Sequence, residues 1–233
     1  MSTTVAIPAL NEEATICACL ESLCHQTLIP DRVIVADGGS HDRTIERVHR
    51  FARDASIRID VIDNPQRRVS TGLNSALAIS DTDFFFRLSA HATLSARYLE
   101  ILTGHLEEGW TGAGGRKVAV GTTPQGRANA AALGSRVGIG GSRYHYSTRV
   151  CEVDHVPSGG YKTSVAKSLG GWAEDLPVNQ DYEFDQRLRS HGGRIILDPS
   201  AMSYWQCRQT LTGHFAQFRR YGAGKAKVVL RRP

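Results

Sequence analysis

Arg87, Ser89 and His91 alternate with apolar residues at the end of an aromatic run, Phe84-Phe85-Phe86. A guanidinium binds anions, and a hydroxyl and an imidazole can pass protons or ligate a metal. The run follows Asp81-Thr82-Asp83 and reads as a buried strand. The period of two then puts all three polar side chains on one face of the strand's end. Ligands of open α/β sheets bind outside the carboxyl ends of the strands, so this edge is a candidate site. Two further stretches carry carboxylates where chemistry could use them. Asp37-Gly38-Gly39-Ser40-His41-Asp42-Arg43-Thr44 follows a second apolar run, and its glycines permit a tight turn and close approach to a ligand. Asn179-Gln180-Asp181-Tyr182-Glu183 opens a helix with Asn179 at the N-cap.

The elements that must position these residues follow in order. Strands are expected at Thr3 to Ile7, Val33 to Ala36, Ile57 to Ile62 and the Phe84 run. Helices are expected between them. The first is capped by Asn11, has Glu12 and Glu13 in its first turn, and carries Ile16, Cys19, Leu20 and Leu23 on one face. The second carries Ile45, Val48, Phe51 and Ala52, and the third Val69, Leu73, Ala76 and Leu77. This alternation predicts an α/β fold, a mostly parallel doubly wound sheet with helices on both faces. Neither Gly-x-Gly-x-x-Gly nor a P-loop follows the first strand, which rejects a dinucleotide enzyme.

The second half is less regular. A helix is expected at Leu99, Leu102 and Leu106, a glycine-rich strand at Gly112 to Val120, and a weak helix at Ala128 to Val137. Gly138 to Ser142 reads as a loop or lid and Cys151 to Val156 as a strand. Gly170-Gly171-Trp172 reads as a turn exposing an aromatic. Two short strands, Arg194 to Leu197 and Met202 to Cys207, precede an amphipathic helix with Leu211, Phe215 and Phe218 on one face. Asp185 is read as pairing with Arg189 at the surface.

The chain has 233 residues, 41% hydrophobic and 22% charged, within the range of a soluble globular protein. Its five cysteines form no Cys-x-x-Cys pair, and Cys19 reads as a core thiol, consistent with a reducing compartment. Val5-Ala6-Ile7 is too short for a leader, and no run approaches the ~20 apolar residues of a membrane span. Net charge is +5, yet Arg208, Arg219, Arg220, Lys225, Lys227, Arg231 and Arg232 stand in the tail with no acid. The remainder has 21 Lys and Arg against 23 Asp and Glu, a balance of −2. The tail therefore points to a polyanionic partner such as a membrane surface or a phosphate group. No motif supports nucleic acid.

Ile7-Pro8-Ala9-Leu10-Asn11-Glu12-Glu13, the Asp37 loop and the Asp181 stretch together resemble family 2 glycosyltransferases of the GT-A fold. Arg87-Leu88-Ser89-Ala90-His91, Val153-Asp154-His155-Val156-Pro157 and Tyr221-Gly222-Ala223-Gly224-Lys225 resemble the succinoglycan-type branch of bacterial polysaccharide assembly. The resemblance covers nearly the whole chain. It implies one GT-A domain over 1–207, with a nucleotide-binding half at 1–92 and an acceptor-binding half at 93–207. Residues 208–233 would form a basic amphipathic extension.

The activity implied is transfer of a sugar, with inversion, from a nucleotide-sugar to a glycan or lipid-linked acceptor. Asp181 matches the general base. Pro8, Asn11 and Glu12 would line the base and ribose, and Asp37 would bond the base edge, unless it only forms its turn. Ser40 and Asp42 share that loop, and Ser70 and Asn74 would lie near the nucleotide. Gln180 and Trp172 would meet the acceptor, Trp172 either as a stacking floor or as plain core packing. That branch usually has Asp where this chain has Ser89, so His91 is the family-matched metal ligand that remains. A divalent cation, Mn²⁺ or Mg²⁺, is expected to arrive on the nucleotide's phosphates. A degenerate relative that binds nucleotide or glycan without turnover is the alternative reading. The expected location is cytoplasmic, peripheral at the inner face of the membrane. Members of that branch commonly continue into membrane helices, so the end at Arg231-Arg232-Pro233 predicts a shortened chain or a peripheral relative.

Overall fold

Three consecutive phenylalanines with no polar partner between them need apolar cover on both sides of a sheet. Phe84 and Phe86 face one hydrophobic cluster and Phe85 faces the other. In the computed structural model, which describes residues 1–230, they form the central strand β4 (Phe84–Arg87). It pairs in parallel with β1 (Thr3–Ala9), β1 with β2 (Arg32–Asp37), and β2 with β3 (Arg58–Asp63). The connecting helices are α1 (Ile16–Cys24), α2 (Thr44–Asp54) and α3 (Val69–Ala78). Ile16, Cys19, Leu20 and Leu23 of α1 and Val48 of α2 join the Phe84/Phe86 cluster. Leu73, Ala76 and Leu77 of α3 join the Phe85 cluster.

The second half supplies β5 (Ala92–Leu94), α4 (Tyr98–Glu107), β6 (Gly112–Val120), α5 (Pro124–Leu133) and α6 (Arg136–Ile139). After a short 3₁₀ turn come β7 (Cys151–Glu152), β8 (Gly159–Lys162), α7 (Thr163–Ser168), α8 (Gln180–Ser190), β9 (Ile195–Gln206) and α9 (Leu211–Leu230). The sheet order is β3-β2-β1-β4-β8-β6-β9-β5, with β7 on β9. The long ladders are parallel, including β6 with β9, and the short antiparallel ones gather around β8 and β9. Glycine makes β8's position between β4 and β6 accessible: a Cβ on Gly160 would stand 2.3 Å from the Phe86 ring.

The structure corrects several local expectations. Asn11 does not cap α1. It sits at φ 55° in the loop, and the helix starts at Ile16 after the Glu12 carbonyl accepts from Thr15 and Ile16. Val69 is 46% exposed, although Ser70, Thr71 and Gly72 in the same turn are buried. The strand expected at Cys151 to Val156 is two residues long, and the two strands expected at 194–207 are one, bent where its register with β6 shifts between Gly115 and Arg116. β8, β5 and α7 are elements that the apolar pattern does not mark. In α9, the packed residues are Gln217, Gly224 and Val228, while Leu211 and Phe215 stay exposed. Close approach decides this: a Cβ on Gly224 would lie 2.4 Å from Val178, and Asn179 Nδ2 bonds the Tyr221 carbonyl at 2.8 Å. Among the described residues no helix is long and apolar enough to cross a membrane, and Arg231 and Arg232 lie outside them.

Candidate active site

Strand alternation sends Arg87 to the same face as Phe85, towards α8. There its Nη1 lies 3.5 Å from Oδ2 of Asp181, the two side chains being 10% and 20% exposed. The Arg87 Nη1 atom is buried and has no hydrogen-bond partner. Asp181 stands in the first turn of α8, and its Oδ1 accepts from the Tyr182 amide at 2.9 Å. Burial pushes the Asp181 carboxyl up, but the charges of Arg87 and His155, the Tyr182 amide and Lys117 together hold it below its ordinary value. It is therefore a carboxylate at neutral pH. Lys117, on β6, is itself pushed down to about 8 by burial and by Arg87, despite Asp181. Its Nζ sits 4.7 Å from the Trp205 ring centroid.

The helix that presents Asp181 is fixed from beneath. Phe184 stacks on Trp172 at 4.7 Å and meets Tyr161 edge-on at 4.9 Å. Asp185, completely buried, accepts from Tyr161 Oη at 2.7 Å and the Val156 amide at 2.9 Å, and lies 2.7 Å from His155 Nδ1. The surface pair Asp185–Arg189 is thus incorrect: one helical turn beyond Asp181, Asp185 points into the core, and Arg189 pairs with Asp154 at 3.0 Å. Trp172 is likewise not exposed. At 1% accessibility it is the packing floor under α8, the second of the two roles left open for it. Gln180 is 8% exposed at the start of the same helix, and Asn179 occupies the cap position without a side-chain cap bond.

A cleft of about 210 Å³ lies at the carboxyl edge of β1 and β4, lined by Pro8, Glu12, Gly38, Arg67, Arg68, Arg87, Ser89 and His91 among others. β4 ends at Arg87, and Ser89 to Ala92 form a turn closed by the Ala92 amide on the Ser89 carbonyl at 3.0 Å. The alternation through His91 therefore fails, yet the turn still brings Arg87, Ser89 and His91 to one cleft. Cys19, whose thiol is pushed up by burial, holds that turn from below with Sγ 3.6 Å from the Ser89 carbonyl. A larger groove of about 630 Å³ between α1 and α2 includes, of the motif residues, Arg43 alone.

Most of the remaining motif residues latch the first two loops to each other. The Asn11 amide donates to Ser40 Oγ at 3.0 Å and the His41 amide to Asn11 Oδ1 at 2.9 Å. The Glu13 amide donates to Asp42 Oδ2 at 3.1 Å, while Asp37 accepts from the Gly39 and Ser40 amides and from Ser40 Oγ. Ser70 is buried on α3. Asn74 ties α3 to the turn before α8, bonding Trp172 through its amide and carbonyl at 2.8 and 2.9 Å. Neither Ser70 nor Asn74 lines the cleft.

The residues at the position implied for a divalent cation do not fit a protein-held ion. His91 Nδ1 lies 3.2 Å from Glu12 Oε1, Ser89 brings a neutral hydroxyl, and the other fixed charges lining the cleft are guanidinium groups. Burial raises Glu12, but the hydrogen bonds from His91 and Thr15 outweigh it and hold the carboxyl low. Among the described residues, no three His, Cys, Asp or Glu side chains converge on one point.

With this geometry in place, comparison with known proteins decides the family. The sequence profile of glycosyl transferase family 2 matches residues 4–163. The chain belongs to that family. The succinoglycan biosynthesis protein ExoA of Rhizobium meliloti is 35% identical over 238 residues, covering 99% of this chain and 71% of its own length. A Methanococcus voltae dolichyl N-acetyl-glucosaminyl phosphate glucuronosyltransferase is 25% identical, over 97% of this chain and 73% of its own. Among solved structures, S. aureus TarS 1–349 with UDP-GlcNAc superposes with a TM-score of 0.69 at 18% identity, covering 92% of this chain and 61% of that one. GalNAc-T7 with UDP, GalNAc and Mn²⁺ gives 0.70 at 12% identity, over 92% and 47%. The fold is GT-A, and this family 2 member is an enzyme of the glycosyltransferase class.

Sequence reasoning assigned His155 and Lys117 near Asp181 no role, and Asp185 only a surface pairing. His155 appears in a quoted motif and Lys117 in a glycine-rich strand, while Asp185 looks like any acid of a helix's first turns. Only a lone Lys among glycines and apolar residues offered a signal.

Proposed function

We propose that this chain transfers a sugar, with inversion, from a nucleoside diphosphate sugar to a glycan or lipid-linked acceptor in polysaccharide or glycoconjugate assembly. The observation that carries the reading is Asp181, held ionised beside Arg87 at the head of α8. Its carboxylate would take the proton of the acceptor hydroxyl as that oxygen attacks the anomeric carbon and the bond to the diphosphate breaks. The Glu12, Gly38 and Arg67 cleft would take the donor, with residues 1–92 forming the donor half and 93–207 the acceptor half. Any divalent cation would come with the nucleotide. Leu211 and Phe215, exposed on α9 near Arg219 and Arg220, would bring the protein to an anionic membrane surface.

The test is a donor and acceptor screen by product analysis, with Asp181→Asn beside the wild type. The variant should keep its fold and nucleotide affinity and lose about 10²–10⁴-fold in transfer. Undiminished transfer by Asp181→Asn would place the base elsewhere. Nucleotide binding with no turnover under any donor would favour a non-catalytic relative.

A further inference from the structure

The cleft and the base are joined by one side chain. Arg87 lines the cleft and pairs with Asp181, and its Nη1 is buried with no hydrogen-bond partner. Arg67 and Arg68 also stand in the cleft wall, Arg67 with its guanidinium packed over Gly39 and Arg68 with Nη1 2.6 Å from the Glu174 carbonyl. The acid in this wall is Glu12, and His91 already engages it. A cleft with three guanidinium groups and one occupied carboxylate is built for an anion, not for a cation.

We propose that Arg87, supported by Arg67 and Arg68, neutralises the departing diphosphate in place of a protein-held divalent ion. The inference rests on the nucleotide-sugar reading above. In the displacement, the acceptor O–H bond breaks and its proton passes to Asp181. The acceptor oxygen bonds the anomeric carbon, and the carbon–oxygen bond to the phosphate breaks with its electron pair on the diphosphate. The leaving group gains one negative charge while the Arg87 guanidinium remains protonated throughout. Arg87 has five donors in a planar fork, so it can hold Asp181 on one side and phosphate oxygens on the other. Nη1 is the atom that faces Asp181, so the phosphate oxygens would meet the other donors of the fork. This use accounts for Ser89: a carboxylate there would compete with the diphosphate for the same guanidinium.

Calorimetric titration with UDP, GDP, ADP, CDP and dTDP, each in excess EDTA and again with Mn²⁺ or Mg²⁺, tests this on the full chain. At least one nucleotide should bind in EDTA with an affinity that the metal changes by less than about threefold. Arg87→Met should weaken it by about 10–100-fold, the range for a hydrogen bond to a charged group, with no rescue by Mn²⁺. Arg87→Lys, which keeps the charge, should retain part of the affinity. Circular dichroism confirms that both variants fold, and if Arg87→Met does not, Arg87→Lys carries the comparison through its loss of bidentate contact. Binding by the wild type only with metal overturns the inference. So does Arg87→Met losing transfer but binding nucleotide normally, since Arg87 would then act only by positioning Asp181. If no nucleotide binds under any metal condition, the donor reading fails and this inference falls with it.

Discussion

Lys117→Met isolates the electrostatics around Asp181. Moving the Lys117 ammonium from its ordinary 10.5 to about 8 corresponds to about 3 kcal/mol, at about 1.4 kcal/mol per tenfold change. Lys117 keeps part of its surface in solvent, and methionine forfeits the cation contact with the Trp205 ring, so a net gain of about 1–2 kcal/mol remains. For a chain of this size that is roughly 2–8 °C in Tm. The sign with pH follows from proton binding. Between about 8 and 10.5 the unfolded chain holds a proton that the folded chain has lost, so wild-type stability rises with pH across that window. Below about 8 both states are protonated and the whole penalty is present. Lys117→Met should therefore be more stable than the wild type near pH 7, with a gap that closes as pH approaches about 10.5. Differential scanning calorimetry of both proteins across that range measures it. A variant less stable than the wild type near neutrality, or a gap indifferent to pH, would refute the reasoning. Transfer should fall in the same variant, because Lys117 helps keep Asp181 ionised.

Three further outcomes are expected. Asp185→Asn should lower stability by about 3 kcal/mol in urea titrations, because it places an amide against donors from His155, Tyr161 and Val156. Ser89→Asp should raise Mn²⁺ affinity in the nucleotide complex at least about tenfold by calorimetry, since a new charge ~4 Å from the ion contributes at most about 4 kcal/mol before desolvation; no change would mean the turn cannot present that side chain. Phe215→Glu should weaken co-sedimentation with phosphatidylglycerol vesicles about tenfold, and salt should weaken the wild type's binding as the Debye length shortens.

The alternation of strands and helices through residue 92 is legible in the chain because each element carries its own period. Val5, Ala6 and Ile7 are buried on both faces, and Ile16, Cys19, Leu20 and Leu23 share one helical face. Asp181 was legible as an acid at a helix start, and the loop glycines as turns, since those features depend on neighbours within a few residues. Tertiary structure alone decided what the charges do. Arg87 and Asp181 lie 94 positions apart and meet only because β8 inserts between β4 and β6 and brings α8 over β4. β8 itself was invisible, for it is four residues long and half glycine, chosen to clear the Phe86 ring rather than to be apolar. Trp172 after two glycines looks like a surface turn until Phe85, Tyr161 and Phe184 close around it. Asp185 looks like a surface acid until the same packing turns it inward. Local periodicity records which face of an element is apolar, but partners distant in sequence determine which charge on that face is buried, and beside what.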